Sequence, residues 1–294
     1  MHRDEVTVDE TVVRRLLAEQ FPEWADLPLE AVEPRGTDNW LYRLGGELVV
    51  RLPCRERTVA TLVRERTWLP RLAGRLPLEI PRPVAAGKPG AGYPWTWSVY
   101  RWLEGENAID APAADLARAA ADLAALLEAL RQVDPNGGPG PGEENFFRGA
   151  PLETFDVRVR ADLVRLRDEI DVEAATAVWD EALRAPIPAG PPVWVHGDLD
   201  RRNLLTRQGR LAAVVDFGCV GVGDPACDVA VAWKVLSPET RDSFRCALSV
   251  DEPTWSRARG WTVSQALGAL AYYTPESNPS LFAEARRWLA DALA

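Results

Sequence analysis

Histidine, cysteine and methionine are scarce in this sequence of 294 residues. Its only histidines are His2 and His196. Its four cysteines form no CxxC pair; they are Cys54, Cys219, Cys227 and Cys246. A structural zinc site takes about four such ligands at short spacing, so the composition argues against zinc chemistry. A chain of this length buries a core without disulfides, and we expect the cysteines to be buried thiols.

Long apolar runs are absent as well. No stretch approaches the roughly 18 to 20 consecutive apolar residues of a membrane span. The first residues, Met-His-Arg-Asp-Glu, lack the apolar stretch of a signal peptide. We therefore expect a cytoplasmic protein that has no membrane partner.

Basic residues are outnumbered by acidic ones, 34 Lys and Arg against 44 Asp and Glu, for a net charge of -10. Such a surface repels a phosphate backbone on average, so we expect no nucleic-acid partner. The hydrophobic share of 47% is enough for the core of one large domain or of two lobes. The oligomeric state, monomer or homodimer, stays open at this level.

The first hundred residues are predicted to be mainly sheet. A capping box at Thr7-Val8-Asp9-Glu10 begins a helix that runs to about Gln20. Alternating apolar residues predict strands at 40–44 and 47–52, joined by a Gly-Gly turn. A helix over 57–73 follows, the segment 80–87 is interrupted by two prolines, and 95–103 reads as another strand.

The pattern changes after residue 103. Helices are predicted at 115–130, 153–170 and 172–184, with a Pro/Gly loop at 134–142. Short strands follow at 193–195 and 211–215, and helices continue to the end. The fold class is therefore α+β. We expect two lobes, residues 1–103 and residues 104–294, with the boundary near Glu104-Gly105-Glu106.

Polar residues cluster at the ends of the two short strands. His196-Gly-Asp198-Leu-Asp-Arg-Arg-Asn203 follows the first strand, and Asp216-Phe-Gly ends the second. Phosphoryl transfer to a hydroxyl needs a carboxylate at the nucleophile and oxygen ligands that hold Mg2+ against the nucleotide phosphates. Asp198, Asn203 and Asp216 supply that set if a hairpin-like return brings them together. The alternative is that Asp198 and Asp216 have only structural roles, as a helix cap and a turn residue.

The pattern H-G-D-L-x-x-x-N followed by D-F-G resembles the aminoglycoside phosphotransferase family, which includes macrolide kinases and other small-molecule kinases. Gly197 stands where protein kinases have Arg, and G-D-P-x-x-D at 223–228 stands where they have an activation segment. The resemblance implies a two-lobed protein-kinase-like fold. Its small antiparallel-sheet N-lobe would bind the nucleotide, and its larger, mainly helical C-lobe would carry catalysis and the acceptor.

Several roles follow from the resemblance. Asp198 would be the catalytic carboxylate, Asn203 and Asp216 the Mg2+ ligands, and His196 a group that stabilises the loop. Asp224 and Asp228 suit a helix cap and a first helical turn, and the resemblance implies that this helix start also braces the catalytic loop.

The resemblance also implies nucleotide-binding residues in the N-lobe. Because the only lysines are Lys88 and Lys234, Arg51 would contact the phosphates in place of a lysine, oriented by Glu65. The alternatives are an exposed strand arginine and, for the acid, Glu56. A loop at 36–39, including Thr37, would face a phosphate, and the backbone of the lobe-joining strand at Tyr100 and Trp102 would pair with the base of ATP or GTP.

The predicted function is a small-molecule kinase that moves the γ-phosphoryl group to a hydroxyl of an aminoglycoside-like antibiotic or a related metabolite. Acidic residues on the helix predicted at 153–170 would suit a polycation, although a solvated helix face explains them equally; they are Glu153, Asp156 and Asp162. The alternatives are a macrolide kinase, a housekeeping metabolite kinase and a non-catalytic pseudokinase. A protein kinase is disfavoured because little chain separates Asp216 from Asp224.

Overall fold

The computed structural model describes residues 6–33, 38–188 and 190–294. Its first part is a five-stranded antiparallel sheet in the order β1-β2-β3-β5-β4. The strands are β1 Leu29–Ala31, β2 Asn39–Leu44, β3 Leu48–Pro53, β4 Pro83–Gly87 and β5 Trp97–Arg101. The predicted hairpin is confirmed, since Leu44 pairs with Leu48 across the Gly-Gly turn. The sequence pattern did not identify β4. Pro83 begins that strand at the edge of the sheet, where a missing N–H is tolerated.

The two faces of the sheet pack against different helices, α1 Glu10–Gln20 and α2 Arg57–Leu72. Val50 and Trp97 lie in the apolar cluster that includes α1. Tyr100 belongs instead to the cluster that includes α2. Because side chains alternate along a strand, Arg51 lies on the opposite face from Val50, toward α2. This alternation directs the guanidinium of Arg51 to the cleft between the lobes.

The second part is mainly helical. Its helices are α3 Leu116–Gln132, α4 Asp156–Arg165, α5 Val172–Arg184, α6 Ala226–Val229, α7 Val231–Val235, α8 Pro238–Ala247, α9 Glu252–Tyr272 and α10 Pro279–Leu293. The long helix α9 contacts α4, α5, α6 and α10. None of the helices in the described ranges is both long and apolar enough to cross a membrane.

Short strands in the second part carry the loops of interest. They are β6 Glu106–Asn107, β7 Val193–Val195, β8 Leu204–Arg207, β9 Arg210–Val214 and β10 Gly221–Gly223. β7 pairs with β10, and β8 pairs with β6 and β9. The predicted strands at β7 and β9 are confirmed, and the β8–β9 hairpin is the predicted return. We propose the lobe boundary between residues 103 and 104, as the sequence indicates, because the first sheet ends at Arg101 and β6 pairs with β8.

Two expectations about local chemistry need correction. The N-cap of α1 is Asp9 and not Thr7, because the Asp9 carboxylate accepts from the Val12 N–H at 2.9 Å. All four cysteines carry thiols, but only Cys54 and Cys227 are buried; Cys219 is partly exposed and Cys246 is exposed. Burial raises the pKa of Cys219 to about 12.

Loss of the α1 cap gives a stability test. Asp9→Ala is expected to lower the free energy of unfolding by about 1 kcal/mol, the usual effect of removing an N-cap acceptor. Thr7→Ala is the matched control and should change it by only a few tenths of a kcal/mol, as a surface substitution does. Urea unfolding of both variants measures the difference. Equal effects would contradict the assignment of Asp9 as the cap.

Candidate active site

The loop after β7 is held by the carboxylate of Asp228. One carboxylate oxygen accepts from the His196 N–H at 2.6 Å and the other from the Gly197 N–H at 2.8 Å. Gly197 has φ of 87°, and a Cβ there would lie 2.8 Å from the Cys219 carbonyl. Only glycine combines this left-handed backbone with such a close approach. The start of α6 therefore braces the loop, as expected of Asp228.

His196 is used on both ring nitrogens. Nδ1 accepts from the Asp198 N–H at 3.2 Å, and Nε2 lies 3.0 Å from the Val215 carbonyl, which can only accept. The ring is buried and packs edge-on against Phe217 at a centroid distance of 4.5 Å. We assign the proton to Nε2 on this basis. The geometry fits a group that joins two loops.

The structure brings Asp198, Asn203 and Asp216 together. Asn203 Nδ2 donates to the backbone oxygen of Asp198 at 2.8 Å and to its carboxylate at 3.3 Å. The Val215 N–H donates to the Asn203 carbonyl at 2.9 Å, which places Asp216 beside the loop. Asp216 has φ of 62°, an uncommon conformation for a residue with a side chain. Backbone strain at such a site is typical of positions set by function.

Arg51 connects the N-lobe to this cluster. Its guanidinium lies 2.6 Å from Glu65 on α2 and 2.8 Å from Asp216. Burial raises the pKa of Glu65 to about 7, although the charge of Arg51 opposes that shift. Burial also acts to lower the pKa of Arg51, but the carboxylates of Glu65 and Asp216 outweigh it and raise the pKa. The structure thus pairs Arg51 with Glu65, whereas Glu56 lies exposed before α2.

The remaining predicted nucleotide-binding residues are Thr37, Tyr100 and Trp102. Thr37 lies outside the described residues. Tyr100 lies in β5 between β3 and β4, and its side chain is buried. Trp102 follows the strand. Its backbone N–H donates to the Glu47 carbonyl at 2.8 Å, and the centre of its ring lies 4.6 Å from the Arg43 guanidinium. Contact of either residue with a nucleotide base stays a prediction.

Sequence reasoning missed the cations around Asp198. Arg148 Nη2 lies 3.3 Å from Asp198 Oδ1, and Arg202 holds Asp200 with two hydrogen bonds. Lys234 is buried with its ammonium 5.1 Å from the centre of the Trp288 ring. Burial acts to raise the pKa of Asp198, but the nearby charges of Arg148, Arg202 and Lys234 hold it at about 2. Lys234 offered a weak signal as the single lysine of the helical half, and Arg148 offered none.

The acidic residues of α4 are paired within the C-lobe. Asp156 accepts from Arg160 at 3.0 Å and from the Trp179 indole at 2.8 Å. Asp162 lies 2.8 Å from Arg158. These ion pairs partly neutralise both carboxylates, and a contact of either residue with a cationic acceptor stays a prediction. Glu153 lies on the exposed surface just before the helix.

Asp224 has two structural contacts. One carboxylate oxygen accepts from the Ala226 N–H at 2.9 Å, which satisfies the start of α6. The same carboxylate forms a buried ion pair with Arg257 of α9 at 2.7 Å. Asp224 joins the start of α6 to the core of the C-lobe.

This architecture corresponds to that of known phosphotransferases. The family model for the phosphotransferase enzyme family (APH) matches residues 31–261 of this chain. The chain belongs to this family. An aminoglycoside 3'-phosphotransferase of Escherichia coli is 27% identical over 157 residues, which are 52% of this chain and 53% of that relative. The chain therefore matches about half the length of such relatives.

Solved structures match over nearly the whole chain. The GDP complex of wild-type aminoglycoside 2'-phosphotransferase-IIIa superposes with a TM-score of 0.70 at 18% identity, covering 97% of this chain and 99% of that one. The macrolide 2'-phosphotransferase MphH from Brachybacterium faecium superposes with a TM-score of 0.63 at 22% identity, covering 95% and 98%. The expected α+β, protein-kinase-like fold is confirmed.

The bracing of the loop by Asp228 gives a further stability test. Asp228→Asn keeps one acceptor oxygen but turns an amide nitrogen toward a backbone N–H, so one buried donor loses its partner. We expect a loss of about 1–3 kcal/mol in the free energy of unfolding. Asp168→Asn, at an exposed acid, is the control. Urea unfolding measures both, and an unchanged midpoint for Asp228→Asn would show that the brace is dispensable.

Proposed function

We propose that this protein is a Mg2+-dependent kinase that transfers the γ-phosphoryl group of ATP or GTP to a hydroxyl of a small molecule. The observation that carries the proposal is that Asp198, Asn203 and Asp216 lie together and that Asp216 contacts the Arg51–Glu65 pair of the N-lobe. A carboxylate, two oxygen ligands and a held guanidinium are the parts that phosphoryl transfer uses. Family membership and the GDP-bound structural neighbour support the same reaction.

In this proposal Asp198 orients the acceptor hydroxyl and takes its proton. Its carboxylate is charged at neutral pH, and 28% of its side chain is exposed to the cleft. Arg51 would bind the nucleotide phosphates from the opposite lobe, because a guanidinium donates to phosphate oxygens in a fixed fork.

The donor set near Asp198 suits Mg2+. Asn203 uses its amide nitrogen on Asp198, so its amide oxygen is the atom available as a ligand. Asp216 adds a carboxylate, and Mg2+ usually takes one or two such ligands together with substrate phosphates. When bound, the ion would neutralise charge on those phosphates. We assign Asn203 and Asp216 as its protein ligands.

The acceptor is proposed to be an aminoglycoside-like antibiotic or a related hydroxylated metabolite, as the relatives suggest. One observation favours a second candidate. Asp156 and Asp162 are paired with arginines, and Arg148, Arg202 and Lys234 surround Asp198. Because paired carboxylates attract a polycation less strongly than free ones, this environment favours an acceptor with few positive charges, such as a macrolide.

A product screen tests the proposed function. Purified protein with Mg2+ and either ATP or GTP is incubated with aminoglycosides, macrolides and neutral hydroxylated metabolites, and products are detected by mass spectrometry. A gain of one phosphoryl group on an acceptor would support the kinase and identify its substrate class. Nucleotide binding without any phosphorylated acceptor would favour the pseudokinase alternative.

Asp198→Asn tests the catalytic carboxylate. Loss of the proton acceptor is expected to lower kcat about 10²- to 10⁴-fold, the usual contribution of a general base. Nucleotide affinity should stay within about twofold, because a phosphate bound by Arg51 does not depend on this carboxylate. ADP release and calorimetric titration measure the two quantities. Asp168→Asn is the control, and retained turnover in Asp198→Asn would contradict the assigned role.

Glu65→Gln tests the Arg51–Glu65 pair. A neutral glutamine positions the guanidinium less firmly, and if the whole of a charge-assisted bond of about 1.5–3 kcal/mol is lost, nucleotide binding weakens about 10- to 150-fold. Glu56→Gln, at the exposed acid before the same helix, should bind the nucleotide like the wild type. Calorimetric titration compares the two. Equal affinities would show that Glu65 does not position Arg51.

A further inference from the structure

Residues 142–151, here called the Arg148 strap, cross the C-lobe beside the catalytic loop. Asn145 is buried, and its side-chain oxygen accepts from the Gly142 N–H at 2.9 Å. The Asp224 N–H donates to the Gly149 carbonyl at 2.8 Å. Gly149 has φ of 79°, and a Cβ there would lie 3.0 Å from the Gly223 Cα. The first part of the strap is therefore held by an internal hydrogen bond, and its Gly149 end is held against the segment that precedes α6.

The strap is also tied to the N-lobe helix α2. Glu144 lies 3.0 Å from Arg64, and Arg64 donates in turn to the Val220 carbonyl at 3.2 Å. These contacts join the strap to α2 and to the segment that follows the D-F-G residues. The position of the strap is thus coupled to the same helix that carries Glu65.

Backbone strain is concentrated just before Arg148. Phe146 and Phe147 have φ of 54° and 56°, so two consecutive bulky residues adopt the left-handed conformation. Each such residue costs of order 1–3 kcal/mol and persists only where the surroundings hold it. Both phenylalanine side chains are exposed, so core packing does not explain the conformation. The residue that the strained turn delivers to the site is Arg148.

The guanidinium of Arg148 is incompletely satisfied. Its contact with Asp198 is 3.3 Å, longer than the roughly 2.7–2.9 Å of a strong charge-assisted bond. Within the part of the chain that the structure describes, its Nε has no hydrogen-bond partner. Two other arginines behave differently: Arg202 holds Asp200, and Arg257 holds Asp224, each through two nitrogens. Arg148 lacks the paired geometry of these structural arginines.

We propose that Arg148 is a further catalytic residue, which donates hydrogen bonds to the oxygens of the phosphoryl group during its transfer at Asp198. The inference rests on the proposed function. In the step, the bond from phosphorus to the nucleoside diphosphate breaks and its electron pair stays on the diphosphate. A new bond forms from the acceptor oxygen to phosphorus, and the acceptor proton passes to Asp198. A guanidinium beside this centre stabilises charge that spreads over the equatorial oxygens.

Arg148 and Arg51 would then act from opposite lobes. Arg51 reaches the site from β3 and contacts Asp216, whereas Arg148 reaches it from the strap and contacts Asp198. Arg51 would bind the nucleotide in its ground state. Arg148 would act mainly in the transition state, so its loss should affect kcat more than nucleotide affinity.

The test uses a mimic of the transferring phosphoryl group, so it does not require the acceptor to be known. Dissociation constants of Mg2+–ADP, with and without aluminium fluoride, are measured by calorimetry for the wild type, Arg148→Gln and Arg148→Lys. Arg118→Gln, at an exposed arginine of α3, is the matched control. Thermal unfolding of each variant checks that it folds.

We expect Arg148→Gln to bind Mg2+–ADP with an affinity within about twofold of the wild type. The increase in affinity on adding aluminium fluoride should be at least about tenfold smaller in this variant than in the wild type. Arg148→Lys should recover part of that gain, and Arg118→Gln all of it. The inference would be overturned if aluminium fluoride raised the affinity equally in Arg148→Gln and the wild type, or did not raise it in the wild type. It would also be overturned if Arg148→Gln lost affinity for Mg2+–ADP alone by the same factor as with aluminium fluoride. A wild type that does not bind Mg2+–ADP would instead refute the proposed function.

Discussion

The ion pairs of Arg51 with Glu65 and Asp216 join three parts of the molecule that are distant in sequence. β3 supplies the arginine, α2 supplies a fully buried glutamate, and the loop after β9 supplies an aspartate at the mouth of the cleft. Removing one partner from such a buried pair is costly, because the remaining charge is left without compensation. The geometry of the cleft therefore depends on all three groups being present together.

A second network fixes the loop after β7 independently of the N-lobe. Asp228 accepts two consecutive backbone N–H groups, and His196 links Asp198 to Val215. These bonds fix the backbone around Asp198 and leave its carboxylate at the cleft. The loop is thus organised before any substrate binds, which is the arrangement that favours electrostatic catalysis.

The net charge of the whole chain does not describe the surroundings of Asp198. The chain carries a net charge of -10, yet arginines and a buried lysine surround Asp198. Acids elsewhere in the C-lobe are paired with neighbouring arginines, as Asp156 and Asp162 show. Net charge therefore describes the average surface and does not describe the field that an acceptor meets in the cleft.

Sequence alone was sufficient for the parts of the site that lie close together in the chain. The proximity of Asp198, Asn203 and Asp216 was predictable because only four residues lie between the first two and a single hairpin brings the third beside them. The β2–β3 hairpin and the long helices were also predictable, since their apolar periodicity is local. The N-cap of α1 was not predictable, because the choice between two nearby polar residues depends on which side chain reaches the helix N–H groups. The strand β4 was not predictable either, because Pro83 is tolerated only at a sheet edge, and the edge is set by the neighbouring strands.

Tertiary structure decided which charges meet. Arg148 reaches Asp198 from 50 positions away in the sequence, and Arg51 reaches Asp216 from 165 positions away. The pairing of the α4 acids and the strain at Phe146 and Phe147 likewise depend on how the helices and the strap pack. Local sequence determines backbone preference and chemical type, whereas the proximity of distant side chains is set by burial and close packing across the whole fold.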